Sequence, residues 1–432
     1  MIEILNIVLT IIVFLILSFF SYFALNSSKI NENNTDIIDI SGKNFLILLN
    51  AILILSLFNP NKQIIFFVSL FLSLVSVYIF FFKNRNITNK IFYIILFLFV
   101  LIISIDISNN FGYTWDTKKY YLHKATGFYQ NFFIDDFVKK TEYPHFGTYI
   151  WSFFWKNNFL NYEYTGRLIY GYIYVLSIFY FINSFNISSH VKIFISLLLI
   201  LLTYKTILFD GRPDILIFSL FLFLSKYFFE IFHKREINFV NIFFIVLILN
   251  LILWTKSEGI AYVLLATFTL LLFIKKNIKK KLLLALLVFF IISTKYATYH
   301  YYGLSLNPNV ETFSSKILTS INFEFFITRS IQIFSWYFVY LFTNPIIIFS
   351  ILSLIIISIK YKKLLTQFNY LYFFILAKFC VIFVTFFITV YPMPFHLKYS
   401  LDRIIFHSSG LFLVVIYYCI INFLKDKKKF TY

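Results

Sequence analysis

The chain has 432 residues, of which 60% are hydrophobic and 13% are charged, and its mean hydropathy is +0.82. A soluble domain has about 45–50% apolar and about 25% charged residues, so the composition excludes an ordinary soluble domain. Much of the net charge of +19 lies in short Lys/Arg clusters between apolar runs. That placement is typical of cytoplasmic loops and does not indicate binding to nucleic acid.

Repeated apolar runs predict an all-α, polytopic membrane protein, because about 20 apolar residues in a helix span a bilayer. The first run lacks a preceding basic segment and a small-residue cleavage site, so we expect a retained span and not a signal peptide. Cys380 and Cys419 lie in apolar runs and are expected to be packing residues. About thirteen spans are predicted, at 4–24, 44–59, 63–82, 91–107, 165–184, 190–208, 213–231, 238–255, 258–274, 281–298, 343–359, 366–390 and 404–424.

The basic clusters predict the orientation of these spans, because Lys and Arg are enriched in cytoplasmic loops. With the clusters near Lys83, Lys234, Lys360 and at 425–429 inside, the loop 108–164 lies outside. The same assignment brings 210–214, 256–258 and 396–403 to the outer face. Residues 315–342 are expected to form an interfacial or re-entrant helix, since a full crossing there would move the Lys360 cluster outside.

The loop 108–164 is polar but rich in aromatic residues, which favours a position at the membrane–water interface. Asp116 follows Trp115 there and fits two interpretations, a general base or a cap on the helix that follows. Asp135, Asp136 and Glu142 are rival carboxylates. Lys119 and Lys124 belong to a positive face that suits either a phosphate group or anionic lipid.

Other candidates lie at the predicted outer ends of later spans. Arg403 fits a phosphate contact or an anchor that extends its charge to the interface, and His396 lies just before it. Glu258, two residues after Lys256, fits a site at the mouth of the helix bundle or an ordinary turn. Asp214 fits a site or a helix cap. His145, Arg167 and Lys295 are weaker candidates.

Some functional classes leave no trace in the sequence. It contains no Walker loop, no dinucleotide-binding glycine pattern and no HExxH. No Cys/His spacing indicates a zinc site, so we predict no metal-ligating residue. Whether the activity depends on a metal ion stays open. Few acidic residues fall within the predicted spans, which argues against an ion-coupled transporter.

A series of short stretches runs from 114 to 403: Thr114-Trp115-Asp116, Lys124-Ala125, Glu142-Tyr143-Pro144-His145, Gly166-Arg167-Leu168, Arg212-Pro213-Asp214, Trp254-Thr255-Lys256-Ser257-Glu258-Gly259 and His396-Leu397 through Ser400-Leu401-Asp402-Arg403. Together, and in this order, they resemble motifs of bacterial integral-membrane glycosyltransferases with the GT-C fold, the dolichyl-phosphate-mannose and aminoarabinose-transferase superfamily. The chain departs from those motifs in two places. Thr126 stands where a second Lys is common, and the turn at Asp214 has an altered order.

The resemblance implies a GT-C-like helical core at 91–432, preceded by N-terminal transmembrane helices at 1–90, with amphipathic juxtamembrane helices in the loop 108–164. It implies that Asp116 is the catalytic base and that Lys124 and Arg403 contact the phosphate of a polyprenyl-linked sugar donor. His396 and Glu258 would line the cavity. Lys256, Lys119 and Asp214 complete the candidate substrate-binding residues.

We therefore expect a glycosyltransferase that moves a sugar from a polyprenyl-phosphate carrier to a glycan, lipid or protein acceptor. No cofactor is expected beyond that lipid donor, and membrane lipids are the expected surroundings. The expected location is the bacterial cytoplasmic membrane, with the site on the extracytoplasmic face. Two alternatives stay open: a polymerase or ligase of the O-antigen type, and a lipid or polysaccharide flippase.

Overall fold

The protein is almost entirely helical in the parts of the chain that the computed structural model describes, so the predicted all-α class is confirmed. A two-residue parallel bridge joins β1 (Thr35–Asp36) to β2 (Ile87–Thr88). The described residues are 2–25, 35–58, 60–84, 87–110, 112–134, 144–233, 237–274, 277–304, 323–360, 365, 367–387 and 393–430.

The helices follow one another with short connections. The first part of the chain forms α1 (Ile2–Leu17), α2 (Tyr22–Leu25), α3 (Ile37–Ser56), α4 (Lys62–Lys83) and α5 (Lys90–Asn109). The loop 108–164 contains a wide π-helical turn (Thr117–Tyr121), α6 (Leu122–Tyr129) and α7 (Phe146–Lys156). The next part forms α8 (Glu163–Asn183), α9 (Ser189–Thr203), a 3₁₀ turn (Thr206–Phe209), α10 (Asp214–Phe232), α11 (Phe239–Thr255), α12 (Gly259–Phe273) and α13 (Ile278–Tyr301).

The last part forms α14 (Phe323–Thr343), α15 (Pro345–Lys360), α16 (Asn369–Phe387), α17 (Met393–His396), a second π-helical turn (Leu397–Leu401), α18 (Asp402–Ser409), a 3₁₀ turn (Gly410–Phe412) and α19 (Leu413–Phe430). From Pro394 to Phe423 these last elements form one continuous helical run of 30 residues.

Nine helices within the described ranges are long and apolar enough to cross a membrane, which makes this a multi-pass membrane protein. They are α3, α4, α5, α8, α10, α13, α14, α16 and the run from Pro394 to Phe423. Five shorter apolar helices (α1, α9, α11, α12 and α15) accompany them. The number of about thirteen spans stays a prediction.

The centre of the bundle is formed by α8 and α10, whose apolar stretches are almost fully buried by the helices around them. Small residues let α8 approach its neighbours. Gly166 lies so close to α7 that a Cβ there would stand 2.2 Å from the carbonyl oxygen of Trp151. This packing positions α7, and the loop to which it belongs, against the start of α10.

Two N-terminal boundaries differ from the prediction. The span predicted at 4–24 is broken, because α1 ends at Leu17 and a turn precedes α2. The span predicted at 44–59 starts earlier, at Ile37, because the Asp36 side chain accepts hydrogen bonds from the N–H groups of Ile38 and Asp39. Its polar first turns are tolerated because Asp39 forms salt bridges with Lys43 and Lys226.

The predicted interfacial segment 315–342 corresponds in its described part to α14. The Phe325 ring packs on Phe387 at the end of α16, and the Tyr340 hydroxyl donates a hydrogen bond to the Lys398 carbonyl oxygen at 2.9 Å. The helix is also long enough to cross, so its interfacial position stays a prediction. The external segment predicted before residue 404 is helical from Met393 onward.

Candidate functional site

The Asp116 side chain faces Arg403, a residue 287 positions further along the chain. Its backbone is helical (φ −58°, ψ −43°), and its side chain makes no capping hydrogen bond to the turn Thr117–Tyr121. Asp116 Oδ2 instead accepts a hydrogen bond from Arg403 Nη1 at 2.8 Å. The capping interpretation is therefore wrong. The two side chains are 28% and 22% exposed, which leaves the pair accessible from one side.

Arg403 also contacts a second carboxylate. Its Nε lies 3.2 Å from Oδ2 of Asp214, the first residue of α10, which is 1% exposed. The guanidinium group is planar and presents several N–H donors in fixed directions. This second contact is an ion pair without a hydrogen bond, because neither Arg403 Nε nor Asp214 Oδ2 has a hydrogen-bond partner among the described residues. Arg403 therefore lies between the accessible Asp116 and the buried Asp214.

The other oxygen of Asp214 contacts two further basic side chains. Oδ1 lies 2.7 Å from Lys256 Nζ and 2.5 Å from His407 Nε2. The second ring nitrogen of His407, Nδ1, lies 2.9 Å from the Tyr262 hydroxyl. Asp214 thus pairs with Lys256 and with Arg403 and His407 of α18, two distant parts of the chain, which favours its interpretation as a site residue over that of a helix cap.

Asp210 ties the loop that contains Asp116 to the start of α10. Its Oδ2 accepts hydrogen bonds from the hydroxyls of Thr114 (2.6 Å) and Thr117 (2.9 Å), which flank Asp116. Its Oδ1 accepts a hydrogen bond from Arg212 Nε at 3.1 Å. These contacts fix the backbone on both sides of Asp116.

Arg167 acts as a structural anchor for the same region. It is buried, and it pairs with Glu163 one helical turn earlier at 2.9 Å. Its Nη1 donates hydrogen bonds to the carbonyl oxygens of Asn110 (3.1 Å) and Phe209 (3.3 Å). The weaker site candidate Arg167 therefore joins the loop after α5 to the 3₁₀ turn before Asp210.

Glu258 lies at the edge of this group, with Oε1 3.9 Å from Lys256 Nζ. Burial raises the pKa of the Glu258 carboxyl, but the charge of Lys256, the nearby His407 and hydrogen bonds outweigh it and lower the pKa below its usual value. Its side chain is 37% exposed and makes no capping hydrogen bond to α12. Glu258 is therefore a second accessible carboxylate beside the buried pair.

A cavity of about 250 Å³ lies against Arg403 and Asp214. Four cationic and two acidic side chains line it together with apolar groups, so it is positively charged and partly apolar. It lies among α9, the start of α15 and the second π-helical turn. Its lining residues are Leu202, Thr203, Lys205, Ile207, Leu208, Arg212, Asp214, Thr343, Asn344, Pro345, Ile346, Lys398, Tyr399, Asp402, Arg403 and Phe406.

Three further predicted site residues have the following neighbours. Lys119 is exposed, with its Nζ 4.4 Å from the centre of the Trp115 ring. The His396 ring packs on Phe386, and the charge of Glu258 acts on it. Lys124 is buried on α6 and acts electrostatically on His145. Their predicted contacts with substrate stay predictions.

The rival carboxylates Asp135, Asp136 and Glu142 lie outside the described residues, so nothing compares them with Asp116. Among the residues that are described, no group of three or more His, Cys, Asp or Glu side chains has the arrangement of a metal site.

Two buried basic residues on or beside α18 were not among the predicted ones. His407 is fully buried at the centre of the group, four residues after Arg403 and therefore on the same helix face. Lys378 lies inside α16 and donates a hydrogen bond from Nζ to the Ile404 carbonyl oxygen at 2.7 Å. The signals were a histidine one turn after Arg403 and a lone lysine within an apolar run.

Comparisons with known proteins add no relative: no family model, no curated protein and no solved structure matches this chain.

Proposed function

We propose that this protein is a membrane glycosyltransferase that takes its sugar from a polyprenyl-phosphate carrier and passes it to a hydroxyl group of a surface glycan, lipid or protein. The observation that carries the proposal is the contact of Arg403 with both Asp116 and Asp214 beside a cationic, partly apolar cavity. Residues from distant segments meet there, and they include Asp116 and Arg403, two of the three residues to which the motif resemblance assigns a direct role.

The donor fits the cavity chemically. A polyprenyl phosphate has an anionic group next to a long apolar chain, and the cavity offers Lys205, Lys398 and Arg403 next to Leu208 and Phe406. Cations placed where negative charge develops lower the barrier for a leaving phosphate. The lining therefore supports a role in holding the donor's phosphate.

The transfer step uses the accessible carboxylate. The oxygen of an acceptor hydroxyl attacks the anomeric carbon of the sugar and forms the new C–O bond. The bond between that carbon and the phosphate oxygen breaks, and its electron pair leaves with the polyprenyl phosphate. Asp116 accepts the hydroxyl proton. Asp214, buried among cations, holds Arg403 and Lys256 in place and does not contact the acceptor in this scheme.

The proposed location of the protein follows from the nature of the donor and the acceptor. The polyprenyl chain keeps the donor within the bilayer, and an acceptor at the cell surface approaches from outside. We place the protein in the bacterial cytoplasmic membrane with the Asp116 side facing out. The basic clusters at the opposite helix ends support this orientation.

The test is an assay of purified protein with a panel of synthetic polyprenyl-phosphate sugars in proteoliposomes. Mass spectrometry of the extracted lipids measures free polyprenyl phosphate, and a transferase releases it from at least one donor when a surface-glycan extract is present. If a donor changes leaflet but its headgroup remains attached, the protein is a flippase and the proposal fails. Consumption of pyrophosphate-linked oligosaccharide alone indicates the O-antigen type of polymerase or ligase.

A further inference from the structure

A second cavity, of about 330 Å³, shares no lining residue with the cavity beside Arg403. It lies among α1, α4 and the segment that joins α7 to α8. Its lining is apolar on one part and polar on the other. The apolar lining is formed by Val13, Phe14, Phe66, Phe67, Leu70, Phe154 and Phe159, and the polar lining by Thr10, Gln63, Lys156, Asn157, Asn158 and Asn161.

Lys156 lines this cavity, and Lys62 contacts the lining residue Asn157. Lys156, the last residue of α7, donates hydrogen bonds from Nζ to the Tyr129 carbonyl oxygen (3.0 Å) and to Asn131 Oδ1 (2.6 Å). Lys62, the first residue of α4, is 2% exposed, and its carbonyl oxygen accepts a hydrogen bond from Asn157. Its Nζ lies 5.4 Å from the centre of the Tyr149 ring.

Within the part of the chain that the structure describes, no carboxylate balances the charges of this pair. The charged group that acts on Lys62 is Lys156, which has the same sign. Neither ammonium group has a carboxylate within 4.0 Å among the described residues. Lys62 is buried and Lys156 is partly exposed, and two neighbouring like charges of this kind favour an anion between them.

We propose that this cavity binds an anionic phospholipid of the membrane, with its phosphate between Lys62 and Lys156 and an acyl chain along the phenylalanine-lined part. Charge complementarity calls for an anion, and the apolar walls call for a hydrocarbon chain next to it. The ligand enters from the bilayer, because the outer face of α4 exposes Phe67 and Phe71 to the surroundings. Membrane phospholipids supply both parts at high local concentration. The site is independent of the transfer reaction.

The test uses the full chain in nanodiscs of equal parts phosphatidylglycerol and phosphatidylcholine, followed by native mass spectrometry of retained lipid. We expect one retained phosphatidylglycerol in the wild type. The double variant Lys62→Gln/Lys156→Gln should bind it about thirtyfold more weakly, from the typical contribution of a lysine near anionic lipid. Lys62→Arg/Lys156→Arg keeps the charges and should retain it. Leu70→Trp fills the cavity and should lose it with both lysines present.

The matched control is Lys118→Gln/Lys279→Gln, which removes two exposed positive charges at other positions and should leave retention unchanged. Equal retention of the two phospholipids would overturn the proposal, as would loss in the control to the same extent as in the test variant.

Competition with polyprenyl phosphate distinguishes a membrane phospholipid from a polyprenyl carrier lipid as the occupant. If only polyprenyl phosphate is retained and then lost in the Lys62/Lys156 variant, the occupant is a carrier lipid and the proposal is wrong. A melting temperature close to the wild-type value shows that each variant is folded.

Discussion

At the scale of single residues, the buried Asp214 explains why so many cations can lie together. Its carboxylate contacts Arg403, Lys256 and His407, and Arg212 Nε lies 3.9 Å away. A buried charge that loses its partner is far more costly than an intact pair. Asp116, Asp210 and Glu258 approach the same cations from other sides, and Asp214 is the buried carboxylate on which the group depends most.

Replacing Asp214 by Asn should destabilise the folded protein by about 3–5 kcal/mol, because it leaves the buried ammonium and guanidinium groups without their counter-charge. Thermal unfolding in detergent measures the change. The matched control is Asp402→Asn, on the same cavity but in no described salt bridge, which should change stability little. Equal melting temperatures for Asp214→Asn and the wild type would contradict this view of the cluster.

His145 makes stability depend on pH. Burial, with the nearby charges of Lys124 and Lys295, lowers its pKa from 6.5 to about 3. The unfolded chain takes up a proton near pH 6.5 and the folded chain does not. The contribution of His145 to the free energy of unfolding is therefore complete above pH 6.5, and it declines as the pH falls from 6.5 to about 3.

We expect His145→Asn to reduce the loss of unfolding free energy between neutral and acidic pH, compared with the wild type. Chemical unfolding at a series of pH values measures both slopes. The exposed His190 provides the position for a matched His→Asn variant that controls for the substitution itself. Identical slopes for His145→Asn and the wild type would show that the His145 ring is not held neutral.

At the scale of elements, the site depends on how closely α7 and α8 approach. A Cβ on Gly166 would lie 2.2 Å from the Trp151 carbonyl oxygen, which is backbone and cannot move aside. On the same helix, a Cβ on Gly171 would meet the end of the flexible Ile107 side chain at 2.9 Å. Gly166→Ala should therefore lower the free energy of unfolding by about 1–3 kcal/mol, because the added methyl group overpacks the contact.

Gly171→Ala serves as the matched control for this prediction, because a side-chain end can rotate away. Melting temperatures of the two variants, measured in one detergent, give the comparison. If Gly171→Ala lowered the melting temperature more than Gly166→Ala, the α7–α8 contact at Gly166 would not be the tighter of the two contacts.

The positions of most elements could be predicted from hydrophobic runs, and their ends often could not. The starts of α5, α8, α9, α10, α11 and α12 agree with the prediction within two residues. The start of α3 was missed because Asp36 caps it and a salt bridge at Asp39 compensates the polar first turns. Contacts between side chains of different elements decide where such a helix begins. A hydropathy profile of the sequence does not contain those contacts.

At the scale of the whole molecule, the meeting of the four polar segments could be predicted from the charge distribution and the order of spans. The pairing of individual side chains could not be predicted from the sequence, because it depends on how each helix is rotated about its axis within the bundle. His407 and Tyr262 contribute to the centre although neither was predicted. Lys124 was expected beside Arg403, and its described neighbour is His145.

The measurement that tests the central claim most directly is the rate at which purified Asp116→Asn releases polyprenyl phosphate from a donor that the wild type consumes. Removal of a general base typically lowers the rate about 10²–10⁴-fold. We predict a loss of that size with donor binding retained, and no loss for Glu324→Gln, which removes an exposed carboxylate on α14. Release by Asp116→Asn at the wild-type rate would contradict the assignment of this site.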